Sequence, residues 1–259
     1  MGHIRLGTLP RSKKWRNVVE LLDTNAPLDE VAAAAAKASE LDLKRASNDP
    51  VFQLVASLLV QLPLWARAPG FEEVLSTLNM SVESLSSVSA FLSDIDKSIN
   101  QSIFELGRSS DIGELSRLAL LETLSGELRS CLPSLFDPTP KEIRQALASF
   151  SSGSNFAHLA RAFFAKLSYK SLDYYLSREL ANHTGPSKRF SSDAARVDFE
   201  RALAQHTNEA SRIVEEFAGG WYGKTVWKEQ KLDQAAINKF TGYAFKKMRS
   251  ELARRREIA

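Results

Sequence analysis

The chain holds a single cysteine, Cys131, among 259 residues, so no disulfide can form within it. This usage fits a reducing compartment, and a cytoplasmic location is the expectation. Cys131 has no base beside it in sequence, which points to a structural thiol rather than a nucleophile. Long apolar runs are also missing. The most apolar stretch, Val51 to Trp65, contains Gln53, Gln61 and Pro63 and falls short of the roughly 20 residues a spanning helix needs, so no transmembrane segment is expected. The first residues, MGHIRLGTLPRSKKW, lack the apolar centre of a signal peptide. Leu6 stands where a myristoylation signal wants Ser or Thr. No alternating strand pattern and no internal repeat can be found.

Phosphate-loop chemistry is missing too. Gly223-Lys224-Thr225 resembles the end of such a loop, but the motif wants glycine at 218, where Ala218 stands, and a strand before it, where the pattern is helical. No cofactor, metal or catalytic residue is assigned. Glu179 with His183, and His206 with Glu209, stand at metal-ligand spacing. In an antiparallel arrangement they lie about 20 Å apart along the helices, too far to share an ion.

What the chain does have is helical periodicity almost throughout. At 44% hydrophobic residues it carries ample material for a core without a metal or disulfide staple. The expectation is an all-α, multi-helix bundle of about eight to ten helices, with a C-terminal antiparallel hairpin and a basic terminal helix. The hairpin organises the rest. Phe156, Ala160, Phe163 and Leu167, continued by Leu172, Leu176 and Leu180, form one stripe, and Phe199, Leu203, His206, Ala210, Ile213 and Phe217 form the other. Between them Gly185-Pro186 stops the first helix, and Gly219-Gly220 is expected to stop the second. Folding about the loop centre sets Glu179 level with Arg196 and Lys166 level with Glu209.

Caps mark other helix starts: Ser12, Asp49 with Pro50, Ser81, Asp111, and Thr139 with Pro140. Helices are expected from Pro27 to about Ala46, from Pro50 to an end or kink at Pro63, and unbroken from Val82 to Leu106. Leu132-Pro133 and Asp137 to Pro140 make the strongest break, which suggests a 1–135 region and a 136–259 bundle, or one continuous domain.

Charge divides along this map. Residues 51–150 hold seven Lys and Arg against twelve Asp and Glu, whereas residues 151–259 hold nineteen against twelve. A basic C-terminal half suggests an anionic partner. Three functional readings follow. The first is a non-enzymatic accessory or adaptor subunit that binds a protein partner through Trp221, Tyr222 and Trp227, taken as an aromatic loop over the core. The alternative is a nucleic-acid-binding module using Arg11, Lys13, Lys14, Lys246, Lys247, Arg249, Arg254, Arg255 and Arg256, a case that strengthens if both basic ends fold to the same side. The third is an enzyme using Tyr175, Glu179 and His183 on the 154–184 helix.

Overall fold

The computed structural model describes residues 9–39, 46, 48–107, 110–132, 137–228 and 232–254. The protein is all-α, and the described residues contain no strand, only an isolated bridge between Thr184 and Phe190. The helices in chain order are α1 (Lys13–Asp23), α2 (Leu28–Ala38), α3 (Pro50–Arg67), α4 (Phe71–Thr77), α5 (Val88–Leu106), α6 (Asp111–Cys131), α7 (Pro140–Ser149), α8 (Gly153–Asn182), α9 (Asp193–Ala210), α10 (Arg212–Gly223) and α11 (Gln234–Arg254). A 3₁₀ turn, Val82–Ser86, precedes α5, and a π-helical turn, Lys224–Lys228, follows α10.

The caps explain most boundaries. Ser12, Asp49, Ser87, Ser110, Thr139, Ser152 and Ser192 each accept a hydrogen bond from a first-turn backbone N–H. Thr139 and Glu142 form a reciprocal capping box ahead of Pro140. Several expected boundaries move. The cap of α6 is Ser110, not Asp111, which is the first helical residue. α2 ends at Ala38, where Ser39 turns its hydroxyl back onto the Ala35 carbonyl. The helix expected from Val82 is split, because the extended backbone of Ser87 ends the 3₁₀ turn and caps α5. Pro63 does not end its helix; α3 continues to Arg67, with Pro63 itself buried in the packed interior.

Among the described residues, α3 is the one helix long and apolar enough to cross a membrane by length and composition. Here Phe52, Val55, Leu58, Leu59 and Leu62 lie in the main core.

α8 is the spine, thirty residues long. Its first half puts Phe156, Leu159, Phe163, Phe164 and Leu167 into the main core with α3, α5, α6, α7, α10 and α11. Its second half puts Leu172, Leu176 and Leu180 into a separate cluster with Trp15, Val18 and Leu22 of α1, Val31, Ala32 and Ala35 of α2, Phe190 and Leu203. The main core draws on both sides of the Pro133–Ser154 stretch, since Leu120, Leu124 and Leu128 of α6 join Phe156 to Leu167.

α9 and α10 return along α8 as the hairpin periodicity requires. The return kinks at Ser211, whose helical backbone is both the end of α9 and the start of α10. The register appears in Arg161 of α8, whose Nη1 donates to Glu215 Oε2 of α10 at 2.6 Å. The expected pair of Glu179 with Arg196 does not form. Arg196 pairs on its own helix with Glu200 and, at 3.5 Å, with Asp193. Lys166 has no ion pair among the described residues. Partners three or four residues away on the same helix are always within reach, which favours them over pairs across helices.

The loop after α8 locks the second cluster. Gly185 and Ser187 take positive φ, which turns the chain so that Phe190 N–H donates to His183 O at 3.0 Å. Arg189 then reaches the end of α1, with Nη2 donating to Ala26 O at 2.6 Å.

Candidate binding surfaces

The segment GGWYGKTVW is helical, not a loop. Gly219 and Gly220 lie inside α10, and the chain then widens into the π-helical turn. Gly219 does not stop the helix because its missing side chain is needed for packing. A Cβ there would sit 2.7 Å from the carbonyl oxygen of Gly153, so α10 crosses the start of α8 backbone to backbone.

This placement separates the three aromatic residues. Tyr222 is fully buried, so it is no part of a partner surface. Its ring stacks on Phe156 at 3.9 Å and its hydroxyl donates to Val60 O at 3.3 Å. Burial pushes that phenol well above its ordinary value, so it stays a neutral donor. Trp221 is half-buried and stacks on Phe240 at 4.2 Å. Trp227 alone stands out, 51% exposed, with the Arg67 guanidinium 4.6 Å from its ring centroid. Tyr243, also exposed, packs edge-on against Phe217 and receives Lys247 over its face at 5.4 Å.

The basic ends, by contrast, come together at the carbonyl end of α2. Lys14 Nζ donates to Lys37 O at 3.3 Å, which brings the first turn of α1 there. On α11, Met248, Arg249 and Leu252 line a crevice with Ala36 and Ser39 of α2. Arg11, Lys13, Lys14, Arg16, Lys37 and Lys246 are exposed, and Lys247 and Arg249 are half-buried. Arg255 and Arg256, and the side chain of Arg254, lie outside the described residues. Trp15, which the sequence sets among these cations, is no stacking platform. It is a core residue, 1% exposed, 4.8 Å from the Tyr175 ring.

The Tyr175, Glu179 and His183 face is turned onto α1. His183 Nε2 lies 2.9 Å from Asp23 Oδ1 and ties α1 to the end of α8, while its Nδ1, 2.6 Å from the Glu179 carbonyl oxygen, fixes the ring on its own helix. Tyr175 packs on Trp15. This constellation ties α1 to α8.

A groove that sequence reading does not anticipate runs between α8 and α9, with a volume of about 400 Å³. Ala162, Ala165 and Ala204 line it together with Lys166, Tyr169, Asn208 and the buried Thr207. One end is closed by a charged chain in which His158 Nε2 lies 3.3 Å from Glu127 and Nδ1 3.8 Å from Glu215, itself held by Arg161. At the other end burial, with Asp173, Glu200 and Glu122 nearby, raises the Tyr169 hydroxyl to about 12, so the phenol keeps its proton at neutral pH.

Beyond that end, burial and then the neighbouring Glu200 raise the Asp173 carboxyl above its ordinary value, against the lowering effects of Ser177, Lys170 and Arg196. The folded chain therefore holds this proton more tightly than the unfolded one. Stability falls as pH rises from the ordinary carboxylate value through the raised one, and the penalty is complete at neutral pH. Asp173→Asn is expected to raise the melting temperature at pH 7 and to lose that gain below about pH 4, where both states are protonated. Thermal melts of both proteins across this range check it.

No known protein family matches the chain, and neither does any curated protein or any solved structure.

Proposed function

We propose that this protein is a non-enzymatic helical binding protein whose basic end grips the phosphate backbone of a nucleic acid. The observation that carries this reading is that Lys14 of α1, Lys37 of α2 and Arg249 of α11 meet at the carbonyl end of α2, with Arg11, Lys13 and Lys246 exposed on the same chain segments. Cations near the carbonyl ends of α2 and α11 are favoured by the helix dipole and need no ligand to explain them. Lys14 shares that explanation, since its Nζ donates to Lys37 O, but Lys13, in the first turn of α1, does not. That turn carries Lys13 and Lys14 and no acidic residue, so positive side chains crowd the positive end of the helix, at a cost of about 0.3–1 kcal/mol each. A phosphate group relieves that repulsion.

The test is fluorescence anisotropy with labelled duplex and single-stranded DNA and RNA across a salt series. Affinity is expected to fall steeply with salt, with a log–log slope of roughly −0.9 for each phosphate neutralised on duplex DNA. Replacing Arg11, Lys13, Lys246 and Arg249 by glutamine is expected to flatten that slope on every sequence alike. Lys13→Glu alone is expected to weaken binding while raising the melting temperature by up to about 2–4 °C, because it removes the clash with the dipole. No binding at low salt, or an unchanged slope in the glutamine variant, defeats the proposal.

A second reading, an adaptor for a protein partner, is favoured by Trp227 and Arg67, an exposed tryptophan and guanidinium of the kind enriched at interface centres. Under that reading Trp227→Ala lowers the yield of a co-purifying protein, and the glutamine variant does not.

A further inference from the structure

We infer that the groove between α8 and α9 is a binding site for a small organic anion, whose acidic head meets Lys166 and Asn208 and whose apolar body lies over Ala162, Ala165 and Ala204. The inference is independent of the basic end. The groove exists because three alanines stand at facing positions of two packed helices where larger side chains would fill the space. Its volume, about 400 Å³, is that of pockets that enclose small ligands.

The charges give the ligand its sign. Arg161 is neutralised by Glu215, and His158 lies between Glu127 and Glu215, so that end satisfies itself. Lys166 is the cation on the groove wall without an ion pair among the described residues. The Asn208 side chain, nearly level with it on α9, adds an amide donor, while the Asp173, Glu200 and Glu122 carboxylates near Tyr169 keep an acidic head away from that end. An ammonium and an amide donor beside alanine side chains suit a carboxylate, sulfonate or phosphate joined to a hydrocarbon body.

The probe is 8-anilinonaphthalene-1-sulfonate, which has an apolar aromatic body and one sulfonate and fluoresces when its body leaves water. One dye is expected per folded protein. Lys166→Gln is expected to weaken it roughly tenfold, the scale of one charge-assisted hydrogen bond. Ala204→Leu, which fills the groove, is expected to abolish it while leaving helical circular dichroism and the melting transition intact. Ala162→Leu serves the same purpose should the first variant melt early. Octanoate is expected to displace the dye and octanol to fail at the same concentration. Equal binding to both filled variants would place the dye elsewhere and overturn the site. Equal competition by octanol would overturn the role of Lys166. Nucleic-acid binding is expected to be unchanged in all these variants, so failure here and failure of the basic end are distinguishable.

Discussion

Gly219→Ala and Gly220→Ala, one residue apart in the same helix, are expected to change stability in opposite directions. Alanine normally improves a helix interior over glycine by up to about 1 kcal/mol. At Gly220 a new Cβ meets nothing within 4 Å, so that gain is realised in full. At Gly219 the new Cβ lands 2.7 Å from Gly153 O and 3.2 Å from Gly153 C. Both atoms are backbone, in the first turn of α8, and no side chain can swing away. The helices must separate, opening the contact that lets Phe156 stack on Tyr222. The cost is expected to exceed the propensity gain, for a net loss of about 1–3 kcal/mol. In a chain of this size that lowers the melting temperature by roughly 2–4 °C per kcal/mol. Urea melts of the two variants beside the parent measure both signs. A Gly219→Ala protein as stable as its parent would show that the two backbones do not touch.

The second large effect divides two aromatic residues that the sequence presents as a set. Tyr222→Ala is expected to cost about 3–5 kcal/mol, the range for emptying a buried aromatic site. It removes the stack on Phe156, the hydrogen bond to Val60 O, and a ring buried among α3, α8 and α11. Tyr222→Phe should cost far less, about 1 kcal/mol, because only the hydroxyl goes and Val60 O keeps its helical context. Trp227→Ala is expected to stay within about 1 kcal/mol, the worth of one exposed cation–π contact with Arg67. Denaturant melts of the three variants rank them. A large loss from Trp227→Ala would mean that this ring is part of the core and unavailable to any partner.

Much of the fold is legible in the sequence, for local reasons. Asp49-Pro50, Thr139-Pro140 with Glu142, and Ser192 announce helix starts through contacts with their own first turns, so no knowledge of the rest of the chain is needed. The stripes of α8, α9 and α11 are long enough for their period to be unambiguous. Some positions take their meaning from a distant neighbour, whereas the breaks at Ser39 and Ser87 are local. Gly219-Gly220 looks like a stop until Gly153 is known to lie across it. Pro63 looks like a break until its surroundings in the core are seen. Candidate surfaces divide in the same way. The cations are visible in the composition, but their meeting at α2 rests on Lys14 reaching Lys37 and Arg249 packing near Ser39. The groove leaves only a faint trace, alanines at 162, 165 and 204 beside the stripes of larger residues.

The position of α8 in the chain governs how the protein emerges from the ribosome. α1 and α2 are made first, yet the apolar faces they bury are completed by Leu172, Leu176, Leu180 and Leu203. At about 5–20 residues per second, some 150 residues separate the two, so the nascent N-terminal pair waits on the order of 10–30 s for its cover. Trp15, Val18, Leu22 and Val31 are open to solvent, and to chaperones, throughout that interval. α11 is made later still, and its Ile237, Phe240, Ala244 and Met248 then complete the main core from the C-terminal side.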